Sequence, residues 1–268
     1  MNPRLRSIFR SDGRAVIVPI DHTMALGLAS GWEKPERTLS AIIEGGADAI
    51  MTTYGIAKHF RPLWQEKIAM IVRLDGGTTL FSEEWGANTR WMQLYTVEDA
   101  LRIGASGVIV MTWFGTPVEF DSIQTTARVA AECERWGVPL AAEALPPRSK
   151  WFDAEALATA ARIAAEYGAD FIKTHYPGSL DAFRRITSVC PVPVLTAGGA
   201  RTEFVRDTLQ AAQEVLQGGG AGVFCGRNVW QHPNPAAVTR ALVCLIHEGA
   251  TVEQALQEVP QSETSIKL

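Results

Sequence analysis

The chain has 268 residues, 47% hydrophobic and 20% charged, which suits one large α/β domain or two small ones and supplies a sizeable core. A net charge of −4 gives no basic surface that would draw nucleic acid or an anionic membrane. Cys133, Cys190, Cys225 and Cys244 form no CxxC pair, the opening Met1-Asn2-Pro3-Arg4 lacks the apolar core of a signal peptide, and no apolar run spans a membrane. Free thiols and a cytoplasmic protein are therefore expected, with no membrane partner and no metal.

Taken in chain order, short apolar β-rich segments fall at residues 15–20, 49–53, 68–74, 107–112, 139–144, 170–174, 192–196 and 222–225. Between them lie patterns with alanine- and leucine-rich faces at helical spacing, at 35–44, 122–136, 154–167, 203–216 and 236–247. Strict alternation of this kind demands a parallel sheet joined by crossover helices. One junction recurs in Glu44-Gly45-Gly46-Ala47-Asp48, Arg102-Ile103-Gly104-Ala105, Glu166-Tyr167-Gly168-Ala169 and Gln217-Gly218-Gly219-Gly220. There a helix ends on a left-handed glycine and a strand follows within a few residues. Eight such units, in a length close to the ~250 residues of a (β/α)₈ barrel, predict a single TIM barrel over residues 1–258 and a C-terminal tail over 259–268.

Barrel chemistry sits at the carboxyl ends of the strands. The first strand ends on Asp21 and His22. The acid can orient substrate hydroxyls or relay protons, or simply cap the following loop; the histidine is a catalyst or a hydrogen-bonded structural residue. The connection 76–95 carries Glu83, Glu84, Trp85, Arg90 and Trp91 above the mouth, as a lid or specificity element would. The fifth strand ends Ala142-Glu143-Ala144-Leu145-Pro146, and side-chain alternation puts Glu143 and Leu145 on one face.

The sixth strand ends on Lys173, within Ala169-Asp170-Phe171-Ile172-Lys173 and just before His175. A strand buried on both faces directs that amine into the barrel, where an amine withdrawn from water loses its proton more readily and can attack a carbonyl to form an imine. The alternative is a side chain that snorkels to the rim. If Lys173 points inward, Glu143 on the neighbouring strand does too, either to move protons or to form a structural ion pair with Lys173 or an arginine. His175 is a second candidate for proton transfer. After the seventh and eighth strands come Gly198-Gly199 and Gly226-Arg227-Asn228. Backbone N–H groups freed by glycine, together with a guanidinium, suit a phosphate or comparable anion between these two loops.

The order Asp21-His22, GADFIKTHYPG around Lys173, Gly198-Gly199 and Gly226-Arg227-Asn228 resembles the DeoC-like class I aldolases of archaeal type. That group includes fructose-bisphosphate aldolase, aminodideoxyheptulosonate synthase and a thiolase for a phosphorylated autoinducer. The resemblance implies a Schiff-base lysine at Lys173, a strand-one acid at Asp21, and a phosphate site at Gly198, Gly199, Gly226 and Arg227. It also implies a sugar phosphate or related anionic ketose as substrate, no cofactor, and a homo-oligomer, a pentamer or decamer. Two departures stand out. The family's Asp-His-Gly is Asp21-His22-Thr23 here, and its acid/base tyrosine on the fifth strand is replaced by Leu145. Leucine moves no proton, so Glu143, His175 or a bound water must take the role, or the reaction differs. The expected function is a Schiff-base lyase or transferase; the alternative is a phosphate-binding barrel, isomerase or non-catalytic, that forms no imine.

Overall fold

The computed structural model describes residues 3–84, 89–199 and 202–260. Eight parallel strands close into a barrel: β1 (Ala15–Pro19), β2 (Ala49–Thr53), β3 (Ala69–Arg73), β4 (Gly107–Trp113), β5 (Leu140–Leu145), β6 (Phe171–His175), β7 (Val194–Ala197) and β8 (Gly222–Phe224), with β8 paired back onto β1. The single (β/α)₈ barrel read from the sequence is the fold. At the four repeated junctions Gly46, Gly104, Gly168 and Gly219 adopt φ of 83°, 91°, 99° and 85°, the left-handed turn for which glycine is suited.

Alternation along each strand divides the core into two layers. Val16, Val18, Ile50, Val72, Val108, Val110 and Leu140 face outward and bury the apolar stripes of the surrounding helices. Ile17, Met51, Ile71, Ile109, Ala141, Phe171, Leu195 and Phe224 face inward and fill the barrel. Its lower end is closed by an N-terminal segment that follows a 3₁₀ turn (Pro3–Ser7), with Leu5, Ile8 and Phe9 inserted beneath the strands and the Phe9 ring edge-on to Phe171 at 5.3 Å. A barrel plugged below and packed at mid-height leaves only its upper end for chemistry.

Four strands run one residue further than the sequence predicts, to Trp113, Leu145, His175 and Ala197. These extra residues are inward-facing and form the mouth. The connection 76–95 folds back as an antiparallel hairpin, Asp75–Gly77 against Trp91–Gln93, and Trp85 lies outside the described residues. At the other end of the chain Val259, expected in the tail, is buried at 2% exposure, whereas 261–268 lie outside the described residues. Among the described residues no helix is long and apolar enough to cross a membrane.

Candidate active site

Register decides which side chains meet at the mouth. Glu143 on β5 pairs with Lys173 on β6, so two inward side chains at the same height stand next to each other. The Lys173 Nζ lies 2.8 Å from Glu143 Oε1, and only 7% of the lysine side chain is exposed. Below the amine is the Phe224 ring, with Nζ 5.4 Å from its centroid, so the floor of the site is aromatic and dry. The sequence left Lys173 between the barrel interior and the rim; the side chain occupies the interior.

The other oxygen of Glu143 accepts from Nη2 of Arg73, an inward residue at the end of β3. Arg73 Nε donates to Asp21 Oδ2 at 2.6 Å, and Nη1 donates to Asp75 Oδ1 at 3.1 Å. The result is one buried chain of charge, Lys173–Glu143–Arg73, with Asp21 and Asp75 on the remaining guanidinium nitrogens. Glu143 therefore makes both of the ion pairs open to it. Asp21 is likewise engaged by a side chain, in place of the loop cap allowed by the sequence.

Burial opposes every charge in this cluster, and the neighbours decide the outcome. For Asp21, burial pushes the carboxyl up, but the positive charges of Arg73, Lys173 and His22 and the Arg73 hydrogen bond bring it down to about 2. Glu143 is pushed up by burial and by Asp21, yet Lys173 and Arg73 hold it below its ordinary value. Asp75 is raised: burial outweighs its bonds from Arg73, the Trp91 indole and the Met111 amide. Arg73 is also raised, because three carboxylates more than compensate its desolvation.

The two histidines stand above this cluster. His22 Nδ1 is 3.7 Å from Asp21 Oδ1 and the ring is tilted against Trp230, with centroids 5.5 Å apart. His175 packs against Trp151 at 5.0 Å and Phe152 at 5.8 Å. Burial lowers the proton affinity of both rings. Among the described residues the buried His22 Nδ1, His175 Nε2 and Trp113 Nε1 have no hydrogen-bond partner. Leu145, where the resemblance expects tyrosine, joins Met111, Trp113 and Val118 in an apolar wall flanked by Trp91 and Trp151.

The two glycine loops come together on the far side of the mouth. Arg227 Nη2 donates to the Gly199 carbonyl at 2.7 Å, Asn228 Nδ2 donates to the Gly198 carbonyl at 3.1 Å, and Asn228 Oδ1 accepts from the Thr202 amide at 2.9 Å. Gly226 is required sterically: a Cβ there would meet the Pro19 carbonyl at 2.8 Å and the His22 ring at 3.0 Å. Next to this pair a cavity of about 150 Å³ is lined by His175, Thr196, Gly198, Gly199, Thr202 and Cys225, among others.

Among the described residues no three His, Cys, Asp or Glu side chains are arranged to hold a metal ion. Asp21, Asp75 and Glu143 enclose a guanidinium. Arg73 and Asp75 are the site residues that sequence reasoning missed. Alternation puts Ile71, Arg73 and Asp75 on one face, which is a local signal, but the partners that give the two charges their role lie elsewhere in the chain.

The geometry agrees with relationships across most of the chain. Residues 15–232 match the model of the DeoC/LacD family aldolases. The chain is 38% identical to a 2-amino-3,7-dideoxy-D-threo-hept-6-ulosonate synthase of Halobacterium salinarum over 92% of this chain and 91% of the relative. It is 34% identical to a 2-amino-4,5-dihydroxy-6-oxo-7-(phosphonooxy)heptanoate synthase of Streptomyces griseus, over 92% and 90%. The fold superposes on the crystal structure of an archaeal fructose 1,6-bisphosphate aldolase with a TM-score of 0.84 at 29% identity, covering 92% of this chain and 99% of that one. It also superposes, with a TM-score of 0.83 at 28% identity over 91% and 98%, on an archaeal aldolase whose catalytic lysine carries the carbinolamine intermediate of its substrate. The chain belongs to the DeoC/LacD family of aldolases and is a lysine-dependent enzyme of the Schiff-base aldolase type.

Proposed function

We propose that the enzyme makes or breaks a carbon–carbon bond in a phosphorylated or similarly anionic ketose, with Lys173 as the imine-forming amine and Glu143 as the group that exchanges its proton. The observation that carries the proposal is the 2.8 Å contact between the buried Lys173 Nζ and Glu143 Oε1 at the mouth of the barrel. Lys173 attacks the ketone to give a carbinolamine, and loss of water gives an iminium. Glu143, held as the carboxylate, then accepts the proton of the substrate hydroxyl. The carbon–carbon bond breaks, its electron pair moves into the iminium to form an enamine, and an aldehyde leaves. Protonation of the enamine by Glu143 and hydrolysis of the imine restore the lysine. In the synthetic direction the enamine attacks a second carbonyl, the direction named for the relatives from Halobacterium salinarum and Streptomyces griseus.

Asp21 and His22 would orient substrate hydroxyls from the β1 end. Gly198, Gly199, Gly226 and Arg227 would take the anionic end of the substrate, a role supported by the Arg227–Gly199 contact that brings the two loops together. The free thiols of Cys133, Cys190, Cys225 and Cys244 support a reducing, cytoplasmic setting. The test is reduction with borohydride in the presence of dihydroxyacetone phosphate or fructose 1,6-bisphosphate, followed by peptide mass spectrometry. The expected result is one reduced adduct on the peptide containing Lys173 and none in Lys173→Ala. An adduct that survives Lys173→Ala would remove the lysine from this role.

A further inference from the structure

We infer that Arg73 is the positioning residue of this site: it holds the Glu143 carboxylate in the orientation that faces Lys173, and it ties that orientation to Trp91 in the hairpin above the mouth. The inference rests on Lys173 and Glu143 being the reacting pair, and it concerns a residue that would touch neither substrate nor product.

A guanidinium is a rigid planar fork, and all three nitrogens of this one are committed. Nε serves Asp21 at the end of β1, Nη1 serves Asp75 beyond β3, and Nη2 serves Glu143 on β5. Only 4% of the Arg73 side chain is exposed, so the positive charge is spent on the protein and cannot also hold a substrate phosphate. With Oε2 of Glu143 pinned by Arg73, Oε1 is left for the amine. A carboxylate released from that bond would be free to turn out of line with Lys173 or to face away.

The fork is itself anchored. Asp75 Oδ2 accepts from the Trp91 indole N–H at 2.8 Å and from the Met111 amide at 2.5 Å. Met111 belongs to β4, which is fixed in the barrel, whereas Trp91 belongs to the hairpin strand Trp91–Gln93. A continuous series of polar contacts, Trp91–Asp75–Arg73–Glu143–Lys173, thus runs from the hairpin to the amine. Lysine could not replace the arginine in this series. Its ammonium is a single point on a flexible stem, whereas the three carboxylates lie in three fixed directions.

The experiment follows the rate of imine trapping with dihydroxyacetone phosphate and cyanoborohydride, over about pH 5 to 9 and at several probe concentrations, for wild type, Arg73→Lys, Arg73→Met and Trp91→Phe. Thermal unfolding shows which variants fold. Arg73→Lys is expected to lower the maximal trapping rate by about tenfold or more, a fraction of the 10²–10⁴ attributable to general acid/base chemistry, with little change in half-saturating concentration. The acid limb of its pH profile should move upward, because a single ammonium cannot keep the guanidinium's contact with Glu143 while it also meets Asp21 and Asp75. Trp91→Phe, which keeps the ring and loses the N–H, should move the same limb in the same direction by less. Arg73→Met, if it folds, should show the largest shift. A loss of rate with no movement of the acid limb would make Arg73 merely structural, and a change confined to half-saturation would make it a substrate ligand; either overturns the inference. If Trp91→Phe leaves the limb in place while Arg73→Lys moves it, the link to the hairpin fails. Absence of any wild-type adduct would instead refute the underlying imine reading.

Discussion

Glu143 carries the chemical distinctiveness of this site. A glutamate in the same dry place without cations would be protonated at neutral pH and could act only as an acid. Here Lys173 and Arg73 overcome the burial, so the carboxyl stays below its ordinary value and begins the cycle as a base. It becomes an acid only after taking a proton, and Arg73 then makes that proton easy to return. The competitor, His175, is kept neutral by burial and packs against Trp151 and Phe152. Glu143→Gln preserves shape and removes proton transfer, so turnover should fall by about 10²–10⁴, equivalent to roughly 3–5 kcal/mol, with substrate affinity largely kept. Steady-state kinetics of Glu143→Gln beside His175→Asn decide the matter. Near wild-type turnover in the first and collapse in the second would transfer the role to the histidine.

At the scale of elements, the loops after β7 and β8 form one unit, because Arg227 and Asn228 reach across to the Gly199 and Gly198 carbonyls. Arg227 therefore both shapes the unit and carries its charge. Arg227→Ala should weaken binding of a phosphorylated ligand by about 1.5–3 kcal/mol, read as a rise in KM or in calorimetric Kd, with a much smaller change in kcat. Unchanged affinity would place the anion elsewhere. These loops and the eight strands were legible in the sequence, because periodicity and glycine placement are local signals; the pairing of Lys173 with Glu143 was legible only on the condition that both side chains point inward. Arg73 was not recognised, since its meaning lies in three partners that fall at 21, 75 and 143 in the chain. The plug of Leu5, Ile8 and Phe9 was equally hidden. A short apolar segment before the first strand has no periodicity that distinguishes a barrel floor from a disordered end, and only closure of the barrel gives it a place.

For the whole molecule, the barrel must be joined where its ends meet, and that seam has its own electrostatic clamp on the face opposite the active site. The helix Pro235–His247 ends in His247, whose side chain is only 4% exposed. Its Nδ1 lies 2.7 Å from Asp12 Oδ2, on the N-terminal segment, and its Nε2 lies 2.8 Å from Asp48 Oδ2, just before β2. A ring facing carboxylates at both nitrogens makes both contacts as hydrogen bonds only when doubly protonated. Burial opposes the charge and Arg10 opposes it slightly, but the hydrogen bonds to Asp48 and Asp12 and the charge of Asp48 raise the imidazole above its ordinary value. The sign of the linkage follows. The folded state holds this proton more tightly than the unfolded chain, so the contribution is fully present below about pH 6.5, the unfolded value, and is lost as pH rises through the raised folded value. Wild type should therefore lose stability, measured by denaturant unfolding, over the window that begins near pH 6.5 and extends to more alkaline pH. His247→Gln, which carries no charge and cannot place donors at both ring-nitrogen positions, should be less stable than wild type by roughly 1.5–3 kcal/mol in mildly acidic buffer, the usual worth of a hydrogen bond to a charged group. The gap should narrow as wild type deprotonates. A gap that stays constant across the same range would mean that His247 is neutral in the folded state and that the seam is held by packing alone.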